Sequence, residues 1–97
     1  MAYLNTQERT ELLNDLLKMD NFNKVRRKLR RMDSKVKLSY FRNVQDVNKW
    51  VTRYELPSRG TIVTLIESQA LDGEGKLREM NFQLKEVIVE ATPENRT

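Results

Sequence analysis

Two turn-forming clusters constrain this chain more than any other feature. Pro57-Ser58-Arg59-Gly60 and Asp72-Gly73-Glu74-Gly75 concentrate the residues that reverse a chain. The flanking segments Trp50–Leu56, Thr61–Leu71 and Lys76–Ala91 carry the period-two pattern of half-buried strands. Each turn implies a register. If Leu56 faces Thr61, then Tyr54 faces Val63 and Trp50 faces Glu67. If Leu71 faces Lys76, then Val63 faces Leu84, Leu65 faces Phe82 and Glu67 faces Met80. Both registers collect Trp50, Tyr54, Leu56, Val63, Leu65, Met80, Phe82 and Leu84 on one face. The other face is polar apart from Val51, Ile62 and Ile66. Two independent turn assignments thus give one core face, which a slip of one residue would destroy. Val87 and Val89 fall on the opposite parity, and a bulge near Lys85-Glu86 would return them to the core side.

The first half of the chain has helical periodicity. Asn5 and Glu8 form a capping-box pattern ahead of Leu12, Leu13, Leu16 and Leu17, which predicts a helix over residues 6–18. Asp20-Asn21 then caps a second helix with an apolar stripe of Phe22, Val25, Leu29 and Met32, ended by Asp33-Ser34. The short link makes the two helices an antiparallel pair. Val36, Leu38 and Tyr40 alternate with polar residues and predict a further strand. Residues 41–49 fit a short helix or a turn equally well.

These elements imply an α+β fold: two N-terminal helices packed on a twisted antiparallel β-meander of three to four strands. Val51, Ile62 and Ile66 on the second face favour either a curl toward a small barrel or a partner on that side. With 97 residues the chain has the size of one domain. Its expected extent is residues 1–91, with residues 92–97 a loose tail.

Composition narrows the function. The chain has no cysteine and no histidine. Thiolate nucleophiles, disulfides, thiolate metal sites and imidazole acid–base chemistry are therefore excluded, and the expectation is a protein that is not an enzyme. Asp72 and Glu74 flank Gly73 like a fragment of a calcium loop, but the rest of that loop's pattern is missing. Ser58-Arg59-Gly60 offers amides and a guanidinium to a phosphate without the pattern of a nucleotide-binding loop, and reads as an ordinary hairpin turn. No metal or cofactor is expected. No apolar run nears the roughly 20 residues of a membrane span, and residues 1–5 lack the start of a secretory signal, so the expected location is the cytoplasm, with no membrane partner.

The main functional lead is electrostatic. Residues 22–37 hold eight basic side chains and one acid, Asp33, while the whole chain nets only +4. On a helix Lys24, Arg27, Lys28 and Arg31 share a stripe, Arg26 and Arg30 flank the apolar side, and Lys35 and Lys37 extend the patch. A ridge of this kind suits a nucleic-acid phosphate backbone, RNA or DNA, contacted by Lys24, Arg27, Lys28, Arg31, Lys35 and Lys37. The competing readings are plain solvation, pairing with Glu8, Glu11 and Asp15 of the first helix, and a protein–protein adaptor or assembly subunit. The adaptor would use the basic helix on an acidic partner, or the long C-terminal hairpin. Trp50, Tyr54 and Phe82 read as core. One of Tyr40 and Phe41 is expected to be exposed beside Lys37 and Arg42.

Overall fold

The computed structural model describes residues 3–19, 21–44, 47–71 and 77–96. The chain begins with α1 (Thr6–Met19) and α2 (Phe22–Arg31). Four strands follow: β1 (Lys35–Val44), β2 (Val47–Leu56), β3 (Thr61–Leu71) and β4 (Leu77–Ala91). They form one antiparallel sheet in the order β1-β2-β3-β4. The sheet stays open, with β1 and β4 as its edges, so the curl into a barrel is not realised. The ambiguous stretch 41–49 is strand where it is described. The Asp72–Gly75 turn, Asp20 and the side chains of Met80 and Phe82 lie outside the described residues.

Local chemistry sets the helix ends. The Glu8 amide donates to Asn5 Oδ1 at 2.8 Å and the Asn5 amide to Glu8 Oε1 at 3.2 Å, a complete capping box. Asn21 caps α2 by accepting from the Lys24 amide. At the other end the Asp33 amide donates to the Arg30 carbonyl and the Ser34 amide to the Leu29 carbonyl. Asp33 takes φ 55° to make both bonds, in a Schellman motif that glycine usually supplies.

The β2–β3 register is the expected one, with Leu56 opposite Thr61, Tyr54 opposite Val63 and Trp50 opposite Glu67. The β3–β4 register differs. Val63 faces Val89, Leu65 faces Val87 and Glu67 faces Leu84. Between Gln69 and Leu71 the β3 chain advances two residues while β4 advances five. Turn chemistry does not announce that irregularity, so an unbroken ladder counted from the turn misses it. A second irregularity places one extra β4 residue, Lys85, between two successive pairs of the ladder, with Ile66 opposite Glu86 and Glu67 opposite Leu84. This is the anticipated bulge, and Val87 does return to the core.

The core lies between the helices and one sheet face. Leu12 and Leu16 of α1 and Val25 and Leu29 of α2 meet Tyr54, Leu56, Val63, Leu65 and Val87. Each fully buried aliphatic side chain contributes about 1.5–3 kcal/mol of transfer free energy. Trp50, expected in this core, is 39% exposed. The reason is length. Fourteen helical residues span about 21 Å at 1.5 Å each, while ten strand residues span about 33 Å. The sheet outruns its helical lid and leaves Trp50 and Phe41 uncovered, their rings 6.0 Å apart.

Of residues 92–97, expected to be loose, Thr92 and Asn95 are pinned. Thr92 donates its amide to the Gly60 carbonyl, and buried Asn95 donates Nδ2 to the carbonyls of Leu4 and Gly60 at 2.8 and 2.9 Å.

Candidate nucleic-acid interface

The stripe Phe22, Val25, Leu29 and Met32 presses α2 onto the sheet and α1, so helical geometry turns the side chains opposite to it outward. Lys24, Arg27, Arg30 and Arg31 are exposed there. None of them pairs with a carboxylate within 4.0 Å among the described residues. Three of the α2 cations, Lys28, Arg30 and Arg31, stand in its last turn, where they also oppose the negative end of the helix dipole.

This arrangement differs from the expected stripe at two positions. Arg30 belongs to the outward ridge, because it lies one turn beyond Arg27 and Arg26. Lys28 is half-buried and leans toward α1. There Glu8, Glu11 and Asp15 line one wall of a hollow of about 490 Å³, and Lys28, Arg31 and Arg59 line the other. The acids of α1 thus offset the cations along this seam, where Arg31 forms the margin of the ridge, and leave Lys24, Arg27 and Arg30 clear.

Lys35 and Lys37 are exposed but stand apart from the ridge. Lys35 pairs in register with Glu55, and Lys37 Nζ lies 3.9 Å from Glu55 Oε2, on the sheet face turned away from the helices. Such an exposed pair contributes at most about 1 kcal/mol. Arg59, the cation of the Pro57–Gly60 turn, is engaged internally. Its Nη1 donates to the Met32 carbonyl at 2.9 Å and so satisfies the C-terminal end of α2.

The sheet face without helices has features of its own. Tyr40, Val51 and Ile66 form one cross-strand row, and Leu38, Arg53 and Thr64 the next. Val51 is buried among these neighbours, and Ile62 and Ile66 are half-buried, so the apolar residues are partly covered by the sheet's own side chains. Arg42, Lys49 and Arg53 surround a shallow hollow of about 520 Å³ beside Tyr40 and Glu90. Tyr40 is the exposed aromatic expected beside Arg42. Phe41, on the opposite face, is exposed as well.

The residue that sequence reasoning passed over is Glu67. It faces Trp50 across the β2–β3 ladder, on the helix side, and is only 5% exposed. It lines a hollow of about 350 Å³ with Phe22 and Arg26 of α2, Ser39 of β1, and Trp50 and Thr52 of β2. No hydrogen bond or ion pair reaches its carboxylate among the described residues. Burial pushes its pKa up to about 7, and the charge of Arg26 opposes that rise. Arg26 is turned from the ridge into the sheet. Its Nε donates to the Tyr54 hydroxyl at 3.1 Å, and its guanidinium sits 5.1 Å from the centre of the Phe22 ring. The signal for Glu67 was present in the sequence, since the β2–β3 register already placed an acid on the core face opposite the only tryptophan.

Among the described residues no helix is long and apolar enough to cross a membrane, and no group of acidic side chains could hold a metal ion. Comparison with protein families, curated proteins and solved structures finds no match to this chain.

Proposed function

We propose that the chain is a non-catalytic module that binds nucleic acid through its phosphate backbone, using the outer face of α2. The observation that carries this reading is the ridge of Lys24, Arg27, Arg30 and Arg31, exposed and without a carboxylate partner among the described residues. Cations on one rigid helix approach a polyanion together and release its condensed counterions, which favours binding without reading sequence. Three of the four are arginines, whose planar donor fork matches phosphate oxygens. Lys28 lies at the inner margin of this surface. Lys35 and Lys37 would meet only a ligand that wraps around the β1 edge.

The test is salt-dependent binding to mixed-sequence RNA and DNA by fluorescence anisotropy. Affinity should fall linearly in log–log form, by about 0.7–0.9 per phosphate neutralised. Replacing Lys24, Arg27 and Arg30 with Glu should remove most of the binding and flatten the salt slope, with unchanged far-UV circular dichroism. Retention of wild-type affinity and slope in that variant would overturn the reading. Capture of a stoichiometric acidic protein that survives nuclease treatment would move the same ridge to the adaptor class.

A further inference from the structure

We propose that the hollow between the start of α2 and the sheet takes a guanine base from a single-stranded nucleic acid, with Trp50 stacking on the ring and Glu67 accepting its Watson–Crick donors. The inference rests on the proposed nucleic-acid function and gives it a base-reading site. A hollow of about 350 Å³ falls in the range of small-ligand clefts, roughly 300–1,000 Å³. Trp50, 39% exposed, presents an aromatic surface there and is backed by Phe41. Base–aromatic stacking holds extruded bases in single-strand binders.

The choice of base follows from Glu67. A largely enclosed carboxylate that no protein donor reaches among the described residues is costly, and a ligand donor in the hollow relieves that cost. An ionised carboxylate only accepts. Guanine alone among the four bases places two donors side by side, its ring N1–H and exocyclic amino group, to match the two carboxylate oxygens. Adenine and cytosine set one amino donor beside a ring acceptor, and uracil flanks its single donor with two carbonyls, so each brings an acceptor against the carboxylate. Arg26, across the hollow, supplies the positive charge that suits the guanine carbonyl O6. The same helix turns Arg27 and Arg30 outward, so a strand with its base in the hollow has its phosphates beside the ridge.

Trp50 is the only tryptophan, so its emission reports on the hollow. The full chain is titrated at pH 8 with the 5′-monophosphates of guanosine, adenosine, cytidine and uridine, then with a pentanucleotide of uridines with and without a central guanosine. The expected result is saturable quenching with at least about tenfold preference for the guanine nucleotide, within what one bidentate contact discriminates. The guanosine-containing strand should show the same preference. Glu67→Gln should abolish the preference. Because a variant can fail to fold, the wild type is also measured at pH 6, where protonation of Glu67 should weaken it. Among the described residues, the charged group facing Glu67 is Arg26 from α2, which is tied to the Tyr54 hydroxyl of β2. Ser39 of β1, which lines the hollow, and Leu84 of β4, opposite Glu67 in the ladder, do not titrate.

Equal response to all four nucleotides, no response, or a preference that survives both Glu67→Gln and pH 6 overturns the proposal. A preference for the mononucleotide but not for the strand overturns the strand as its source. Strand binding without base preference leaves the ridge reading standing and removes this one.

Discussion

Glu67 and Arg26 show how a single buried charge can shape the behaviour of a small protein. A glutamate in the unfolded chain titrates near 4.5, whereas burial moves Glu67 to about 7 with Arg26 opposing the shift. Between these values the folded protein keeps a proton that the unfolded chain has lost. Stability therefore falls as the pH rises through this window and levels off above it. The hollow opens to solvent, so the contribution is screened and should amount to on the order of 1–2 kcal/mol. Glu67→Gln, which keeps the shape and removes the charge, should flatten this slope and be the more stable form at pH 8. Urea denaturation of both proteins at pH 5 and pH 8 measures the difference. A wild type equally stable at the two pH values, relative to Glu67→Gln, would place the carboxyl in contact with water.

At the scale of elements, α2 is set by its ends as much as by its apolar stripe. Asn21 satisfies its first turn, and Arg59, 27 positions beyond Met32, satisfies the Met32 carbonyl at its C-terminal end. The weak point is Asp33, an acid held at φ 55° beside the negative end of the helix dipole. Asp33→Gly removes both penalties and should stabilise the protein by about 0.5–1 kcal/mol, a rise in Tm of several degrees. Differential scanning calorimetry reads this directly. An unchanged or lower Tm would mean that Asp33 makes a compensating contact.

The elements also show what sequence can carry. The caps at Asn5 and Asn21, the β2–β3 register and the Lys85 bulge were legible because each depends on residues within a few positions of one another. The β3–β4 register was not, because extra β4 residues opposite Gln69 and Leu71 shift the whole ladder without altering the alternation nearby. The ridge was legible in composition, but the outward place of Arg30 and the inward lean of Lys28 were not. They depend on where α1 sits against α2. Trp50 was misplaced for a related reason: alternation identifies a face of the sheet, while the helix lengths decide how far that face is covered.

For the molecule as a whole, distant parts of the chain close on one point. The Leu4 amide donates to the Arg59 carbonyl, the Thr92 amide to Gly60, and Asn95 bridges Leu4 and Gly60. Arg59 ties the end of α2 to the same turn. This clasp anchors the helical layer to one end of the sheet. The opposite end, with Trp50 and Phe41, extends past the helices in a molecule 51 Å long. Gly60 is its centre, with φ 58° and no room for a side chain. A Cβ there would lie 2.6 Å from Tyr3 Cγ and 2.9 Å from Asn95 Cβ. Gly60→Ala should cost about 1 kcal/mol for the left-handed backbone and a further 1–3 kcal/mol to displace its neighbours. Chemical denaturation should therefore show a loss of roughly 2–4 kcal/mol, larger than for most single substitutions. Placing the same change in a Tyr3→Ala background isolates the ring contact, since the backbone part and the Asn95 contact persist while the ring is gone. A loss below about 1 kcal/mol in the single variant would mean that the two chain ends do not meet at this turn, and that the lid is held by the apolar core alone.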